Sequence, residues 1–246
     1  MSEFFGIDIG GSGIKGAPVD LSCGELADKR KRIKTPQPAT PKAVADVAAQ
    51  LLEHFEASGP VGCALPSVVQ RGVVLSAANI DDAWIGVEGE KLFSKRLGRP
   101  VRLLNDADAA GLAEMRFGAG RDEPGLVLML TFGTGIGSAL VYKGELVPNT
   151  ELGHAQFRGM EAEEYVAARL VKREDMKIDW WASRVNELLA HFERLFSPDL
   201  IVFGGGISKR FEEFSMHLET RARLLPARLG NNAGIVGAAL AARDAA

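Results

Sequence analysis

Apolar residues along the chain fall in short runs, and two of the runs share a layout. Phe4-Phe5-Gly6-Ile7-Asp8-Ile9 leads into Gly10-Gly11-Ser12-Gly13, and Leu126-Val127-Leu128-Met129-Leu130-Thr131 leads into Phe132-Gly133-Thr134-Gly135. A second strand-like stretch follows each turn, Ile14 to Val19 in one case and Ser138 to Tyr142 in the other, so each predicts a β-hairpin. The repetition predicts two similar lobes. Between them, Val44, Val47, Leu51, Leu52 and Phe55 recur at helical spacing within Pro41 to Ala57, and Gly59-Pro60 then breaks the pattern before a strand from Val61 to Leu65. Val101 to Leu104 predicts another strand, which delivers Asn105-Asp106 into a helix through Ala109, Leu112 and Met115. The last third reads as a helix from Trp180 to Leu195, a strand from Leu200 to Phe203, the turn Gly204-Gly205-Gly206 and a closing helix from about Ala233 to Ala242. Strands alternating with helices predict an α/β protein.

Composition narrows the classes. The 246 residues hold no apolar run near 18 and no charged-then-apolar leader, which predicts a cytoplasmic protein with no membrane partner. A formal charge of −3 argues against broad nucleic-acid binding. Cys23 and Cys63 lie forty residues apart outside any CxxC pair, and the histidines at 54, 154, 191 and 217 are scattered, so reduced thiols and no zinc site are expected. The densest positive stretch, Lys29-Arg30-Lys31-Arg32 with Lys34, reads either as a solvated strand edge or as the border of a channel for a polyanion. On the second reading Lys29 to Arg32, with Lys15, Lys209 and Arg210, would be the cations of a track for that polyanion.

The glycine turns carry the first chemistry. Gly11-Ser12-Gly13-Ile14-Lys15-Gly16 fits the GxGxxG spacing, but a dinucleotide fingerprint must open a helix, whereas this segment continues as strand. A hairpin of this kind instead offers backbone N–H groups and small side chains to a phosphate chain, so Gly10, Gly11, Ser12, Gly13 and Lys15 are candidate donor-binding residues, with Asp8 directed at a metal. The bland alternative is a tight turn without a ligand. Thr131, Gly133, Thr134 and Gly135, followed by Ser138, form a second such turn, and Gly204, Gly205 and Gly206 read either as a third that would present its backbone at a helix start or as a simple αβ connection. Asn105-Asp106 at a strand end reads either as a helix N-cap or as a reactive carboxylate held in defined geometry. Glu151 and His154, in the loop after Pro148-Asn149-Thr150, suit the binding of several sugar hydroxyls.

Taken together, Gly6 to Gly16, Thr35 to Pro41, Leu104 to Gly111, Thr131 to Ala139, Pro148 to His154 and Asn232 to Ala239 resemble the polyphosphate-using branch of the ROK family of sugar kinases, over nearly the whole length. The resemblance implies a two-lobed actin-like or hexokinase-like (ribonuclease H-like) ATPase fold with a central cleft. One lobe would span residues 1–105 together with a returning helix at about 233–246, and a larger lobe would span 106–232. It implies phosphorylation of the 6-hydroxyl of glucose from inorganic polyphosphate, with ATP as a further donor, Mg²⁺ as cofactor and a homodimer as the assembly. By position Asp106 would be the general base, with Asn79, Asn105, Glu151, His154 and Glu163 holding the sugar. The wider family carries a cysteine-rich zinc motif where this chain has Gly159-Met160-Glu161-Ala162-Glu163-Glu164-Tyr165, which implies that zinc is absent. Pro66-Ser67 departs from the usual Pro-Gly, which leaves no assigned role for Ser67. The rivals are a strictly ATP-dependent hexokinase acting on glucose or a related hexose and a non-catalytic sugar sensor. A first strand beginning at about Phe4 leaves no room for the helix-turn-helix that the sensor would need.

Overall fold

Period-two alternation in the first strand decides which of its residues meet helices on either side of the sheet. The structure is a computed structural model and describes residues 4–244. In chain order its elements begin with β1 (Phe4–Gly10), β2 (Gly13–Asp20), β3 (Glu25–Leu26), β4 (Lys31–Ile33), α1 (Pro41–His54), β5 (Val61–Leu65), β6 (Val69–Gln70), β7 (Val73–Val74), α2 (Gly89–Leu97), β8 (Val101–Asn105) and α3 (Asp106–Phe117). They continue with β9 (Leu126–Phe132), β10 (Ile136–Tyr142), β11 (Glu145–Val147), β12 (Gln156–Phe157), β13 (Met160–Glu161), α4 (Ala162–Val166), α5 (Arg169–Arg173), α6 (Ile178–Phe196), β14 (Leu200–Gly204), α7 (Phe211–Ser215), β15 (Arg223–Pro226) and α8 (Ala233–Asp244). The chain divides into two units: residues up to Ala113 together with those from Asn232 onward, and Glu114–Asn231.

The first unit is built on a sheet of order β3-β2-β1-β5-β8, with β4 also paired to β2. The hairpin β1–β2 is antiparallel, and β5 and β8 add in parallel. Phe5, Ile7 and Ile9 point into the core that α1 fills with Val44, Ala48 and Leu51. The opposite face of β1 carries Gly6, Asp8 and Gly10, and there α8 packs backbone to backbone. A Cβ on Gly6 would lie 1.9 Å from the Ile235 carbonyl oxygen, and one on Gly62 would lie 1.8 Å from that of Ala238. Gly237 meets α3 as closely, at 1.7 Å from the Ala109 carbonyl oxygen. Small residues are therefore what lets α8, apolar from Ala233 to Ala242, lie flat on this sheet. The helix read at Pro41 starts there, with Thr40 Oγ1 accepting from the Ala43 N–H, and it ends at His54.

The second unit repeats the plan with the order β11-β10-β9-β14-β15, again a hairpin extended by two parallel strands. Leu128, Leu130, Phe132, Ile201 and Phe203 meet Trp181, Val185, Leu188, Leu189 and Phe192 of α6 in one core. Phe132 stacks on Phe203 and meets Trp181 edge to face, an arrangement aromatic rings favour. Of the apolar side chains on α6, Trp180 and Leu195 stay exposed, and the Arg184 guanidinium lies 4.7 Å from the Trp180 ring centre. Near the end of α3, the buried Glu114 carboxylate accepts from the backbone N–H groups of Ala119, Arg228 and Leu229, which fixes the chain just before α8. No helix among the described residues is long and apolar enough to cross a membrane.

Candidate active site

Asp106 opens α3 at the point where β8 ends, half-buried. Its neighbour Asn105 is the helix cap: Asn105 Oδ1 accepts from the N–H groups of Ala107 at 2.8 Å and Asp108 at 3.0 Å, while Nδ2 donates to the Ser67 carbonyl at 3.3 Å. The capping role read for this pair falls to Asn105. Asn105 supplies the cap, and the Asp106 carboxylate, with Oδ1 2.8 Å from the Ala107 N–H, sits where the helix dipole favours an anion. Ser67 is buried, and its hydroxyl has no hydrogen-bond partner among the described residues.

The first glycine turn needs glycine for space. Gly10 pairs with Gly13 across a two-residue loop in which no positive φ occurs. A Cβ on Gly11 would meet the Asn79 carbonyl oxygen at 2.8 Å, and one on Gly13 would meet the Arg32 guanidinium at 2.3 Å. The turn is further held by Thr35 Oγ1, which donates to the Gly10 carbonyl at 2.5 Å, and by Gln37 Nε2, which donates to that of Gly11 at 3.4 Å. Asn79 itself has a left-handed backbone (φ 61°), which asparagine tolerates better than most residues. Asn79, Gly10, Gly11, Ser12 and Gly13 thus come together. Trp84, by contrast, is fully buried, stacks on Phe93 and donates from Nε1 to the Ala39 carbonyl, so it supports the loop from the core. Asp8 faces Lys15, with Nζ to Oδ2 at 3.0 Å. Among the described residues no group of three or more histidine, cysteine, aspartate or glutamate side chains is placed to hold a metal ion.

In the second unit two glycine turns sit at one end of one sheet. Gly204 pairs with Thr131, and a Cβ on Gly205 (φ 80°) would lie 2.3 Å from the Phe132 carbonyl oxygen. Gly206 opens a five-residue 3-10 turn, Gly206–Arg210, where the sequence predicts a helix start, so the aligned dipole of an α-helix is missing at this point. Ser138 is not available to a phosphate either: its buried hydroxyl donates to the Thr150 carbonyl and accepts from the Leu152 N–H, which staples the Pro148–Thr150 loop to β10. Beyond that staple, Leu152–His154 forms one 3-10 turn, and Gly153 packs with its would-be Cβ 2.2 Å from the Ile136 carbonyl oxygen.

That turn assembles the polar cluster. His154 Nδ1 lies 2.9 Å from Glu161 Oε2, and Nε2 lies 3.9 Å from Glu151 Oε2. Glu163 joins through the glycine turn: Oε2 accepts from the Ile136 N–H at 3.1 Å and would clash with any Cβ on Gly135, while Oε1 lies 3.7 Å from Arg169. Burial raises the Glu151 carboxyl above its ordinary range, the nearby Glu163 adding to this and His154 opposing it. The hydrogen bond to Glu161 foremost, with the charges of the neighbouring glutamates, raises the His154 imidazole against the opposing effect of burial. The cluster is therefore suited to receive hydroxyl groups, with carboxylates as acceptors and a readily protonated imidazole as donor.

Similarity to known proteins bears on this geometry. The ROK family model matches residues 4–169. The chain belongs to the ROK family. It is 50% identical over 238 residues to a polyphosphate glucokinase of Mycobacterium tuberculosis, covering 96% of this chain and 90% of that one. An inorganic polyphosphate/ATP-glucomannokinase from Arthrobacter sp. strain KM superposes with a TM-score of 0.94 at 47% identity over the whole of both chains. A ROK family glucokinase from Streptomyces griseus, solved with glucose and AMPPNP, gives 0.80 at 25% identity over 98% of this chain and 99% of that one. The fold of this ROK protein is accordingly the hexokinase-like and actin-like ATPase fold that the sequence predicts.

Glu161 is the site residue that sequence reasoning missed. It reaches His154 because Arg158 and Gly159 both adopt positive φ (55° and 84°) in a two-residue turn, which returns β13 alongside β12 with Glu161 opposite Gln156. The Arg-Gly pair between short apolar stretches was the available signal. Thr35 and Gln37, which fix the first glycine turn, lie inside the Thr35 to Pro41 segment that carries the family resemblance but have no local pattern of their own.

Proposed function

We propose that this protein is a glucokinase that transfers the terminal phosphoryl group of inorganic polyphosphate to the 6-hydroxyl of glucose, with ATP as a second donor. The observation that carries the reading is the junction of β8 and α3, where Asn105 caps the helix and leaves Asp106 at its first position as the base. The acceptor oxygen attacks the terminal phosphorus as its proton passes to the Asp106 carboxylate, the P–O bond to the next phosphate breaks, and the shortened polyphosphate departs. Asn79, Glu151, His154 and Glu163 hold the sugar hydroxyls. The turns at Gly10–Gly13, Thr131–Gly135 and Gly204–Gly206 receive donor oxygens on backbone N–H groups, where charge develops. Asp8 is the residue that would hold Mg²⁺, and one carboxylate completed by donor phosphates fits the way this ion is usually bound. The ion would supply charge neutralisation on the phosphoryl oxygens.

The reading extends to a homodimer in the cytoplasm, supported by the exposed Trp180 and Leu195 on α6 and by the two free cysteines, which suit a reducing compartment. Mannose is a second acceptor to test, because the Arthrobacter relative is a glucomannokinase. The test is formation of glucose 6-phosphate by purified protein with Mg²⁺, glucose and either polyphosphate or ATP. Product from polyphosphate supports the reading. Product from ATP alone removes the polyphosphate donor, and no product from either removes the kinase.

A further inference from the structure

Asp8, Lys15 and Arg32 form a row across three adjacent strands. Asp8 is the register partner of Lys15 in β1–β2, and Lys15 is the partner of Arg32 in β2–β4. Residues paired across antiparallel strands project from the same face, so all three lie on the side of the sheet that carries α8. Their partners differ. Lys15 is matched by Asp8 at 3.0 Å, whereas Arg32 makes no ion pair among the described residues. Arg32 instead lies over the glycine turn, with Nη2 2.7 Å from the Ser12 carbonyl oxygen and 3.4 Å from Ser12 Oγ, in the space that the missing Gly13 side chain leaves open. Next along the strand edge, Arg30 donates to Asn232 Oδ1 at 2.8 Å, just ahead of α8.

We infer that Arg32 is the residue that favours a linear polyphosphate over a nucleotide triphosphate at this turn. The inference rests on the reading of the protein as a polyphosphate-using kinase and names the group that sets its donor preference. A guanidinium presents a planar fork of donors that suits phosphate oxygens, and here it stands beside a turn whose own N–H groups can donate to the oxygens of any phosphate. ATP carries three phosphates and then a ribose, which gains nothing from a cation. A polyphosphate continues as repeated charge past the turn, along an edge strand whose neighbouring Lys31 and Lys34 are also basic. Its binding should therefore draw on Arg32 more than ATP binding does, and should weaken more with salt.

The test compares wild type, Arg32→Gln and the charge-matched control Lys95→Gln, which alters an exposed lysine of α2. Each is assayed for kcat/KM with long-chain polyphosphate and with ATP at saturating glucose, at low and high potassium chloride. Equilibrium binding of polyphosphate without glucose is measured alongside. Arg32→Gln is expected to lower the polyphosphate-to-ATP ratio of kcat/KM about tenfold, to weaken polyphosphate binding and to flatten its salt dependence, the loss of one charge-assisted phosphate contact being of that order. An unchanged ratio in Arg32→Gln, or an equal fall in Lys95→Gln, overturns the inference. Failure of the underlying reading is separate and visible in the wild type, which would then make no glucose 6-phosphate from polyphosphate.

Discussion

Three side chains at the sites described have tasks that differ from those their residue types first suggest. Asn105, which the family resemblance casts as a sugar ligand, also caps the first turn of α3 and donates to the Ser67 carbonyl. Asp106 therefore inherits a fixed backbone, and Asp106→Asn is expected to lower turnover at least about a hundredfold, the usual scale for a general base, with the circular dichroism spectrum unchanged. Near-normal turnover in that folded variant would remove Asp106 from the role. Glu161 acts on His154. Because the imidazole is raised chiefly by its hydrogen bond to Glu161, Glu161→Gln should move the His154 midpoint down in an NMR titration, with a rise in KM for glucose. The sign follows from linkage. A histidine raised on folding adds stability that is fully present below its unfolded midpoint and disappears as pH rises through its folded one. In the window between the variant's lower midpoint and the wild type's raised one, wild-type His154 is mostly charged and the variant's mostly neutral. A midpoint that stays in place would mean that Glu161 does not set the charge of His154.

At the scale of elements, what the sequence makes legible is whatever has a period. The β1–β2 and β9–β10 hairpins show as apolar runs ending in glycine turns, the helix at Pro41 and the long α6 as helical spacing over several turns, and their bounds differ from the reading by a few residues. The short pieces carry none. The two-residue strands β12 and β13 and the five-residue helices α4, α5 and α7 contain too few positions to show a period, and the 3-10 turn after Gly205 lies where a helix start was expected. The packing of α8 was legible only as composition. Its Gly-Ala-rich run makes sense once Gly6, Gly62 and Gly237 are seen against backbone carbonyls. These contacts leave no room for a methyl group and no flexible side chain to move aside. Gly62→Ala is therefore expected to destabilise the protein by at least about 2 kcal/mol, read as a lower urea midpoint, since overpacking against backbone must displace a helix. An unchanged midpoint would mean that α8 shifts without cost.

At the scale of the whole chain, the two units repeat one sheet order, hairpin then two parallel strands, and each carries glycine turns at strand ends. That repetition was visible as two apolar runs ending in glycine, because both sheets begin with the same device. Which groups serve the acceptor and which the donor was not visible from pattern, since a glycine turn and a carboxylate read alike in either unit; the family resemblance supplied that assignment. The functional reading therefore stands or falls on chemistry. The deciding measurement is a coupled assay for glucose 6-phosphate with purified protein, Mg²⁺ and glucose, run with long-chain polyphosphate and, separately, with ATP. Product formed from polyphosphate, and lost in Asp106→Asn, is the result expected here. Product formed from ATP alone, or undiminished turnover in the Asp106 variant, would contradict it.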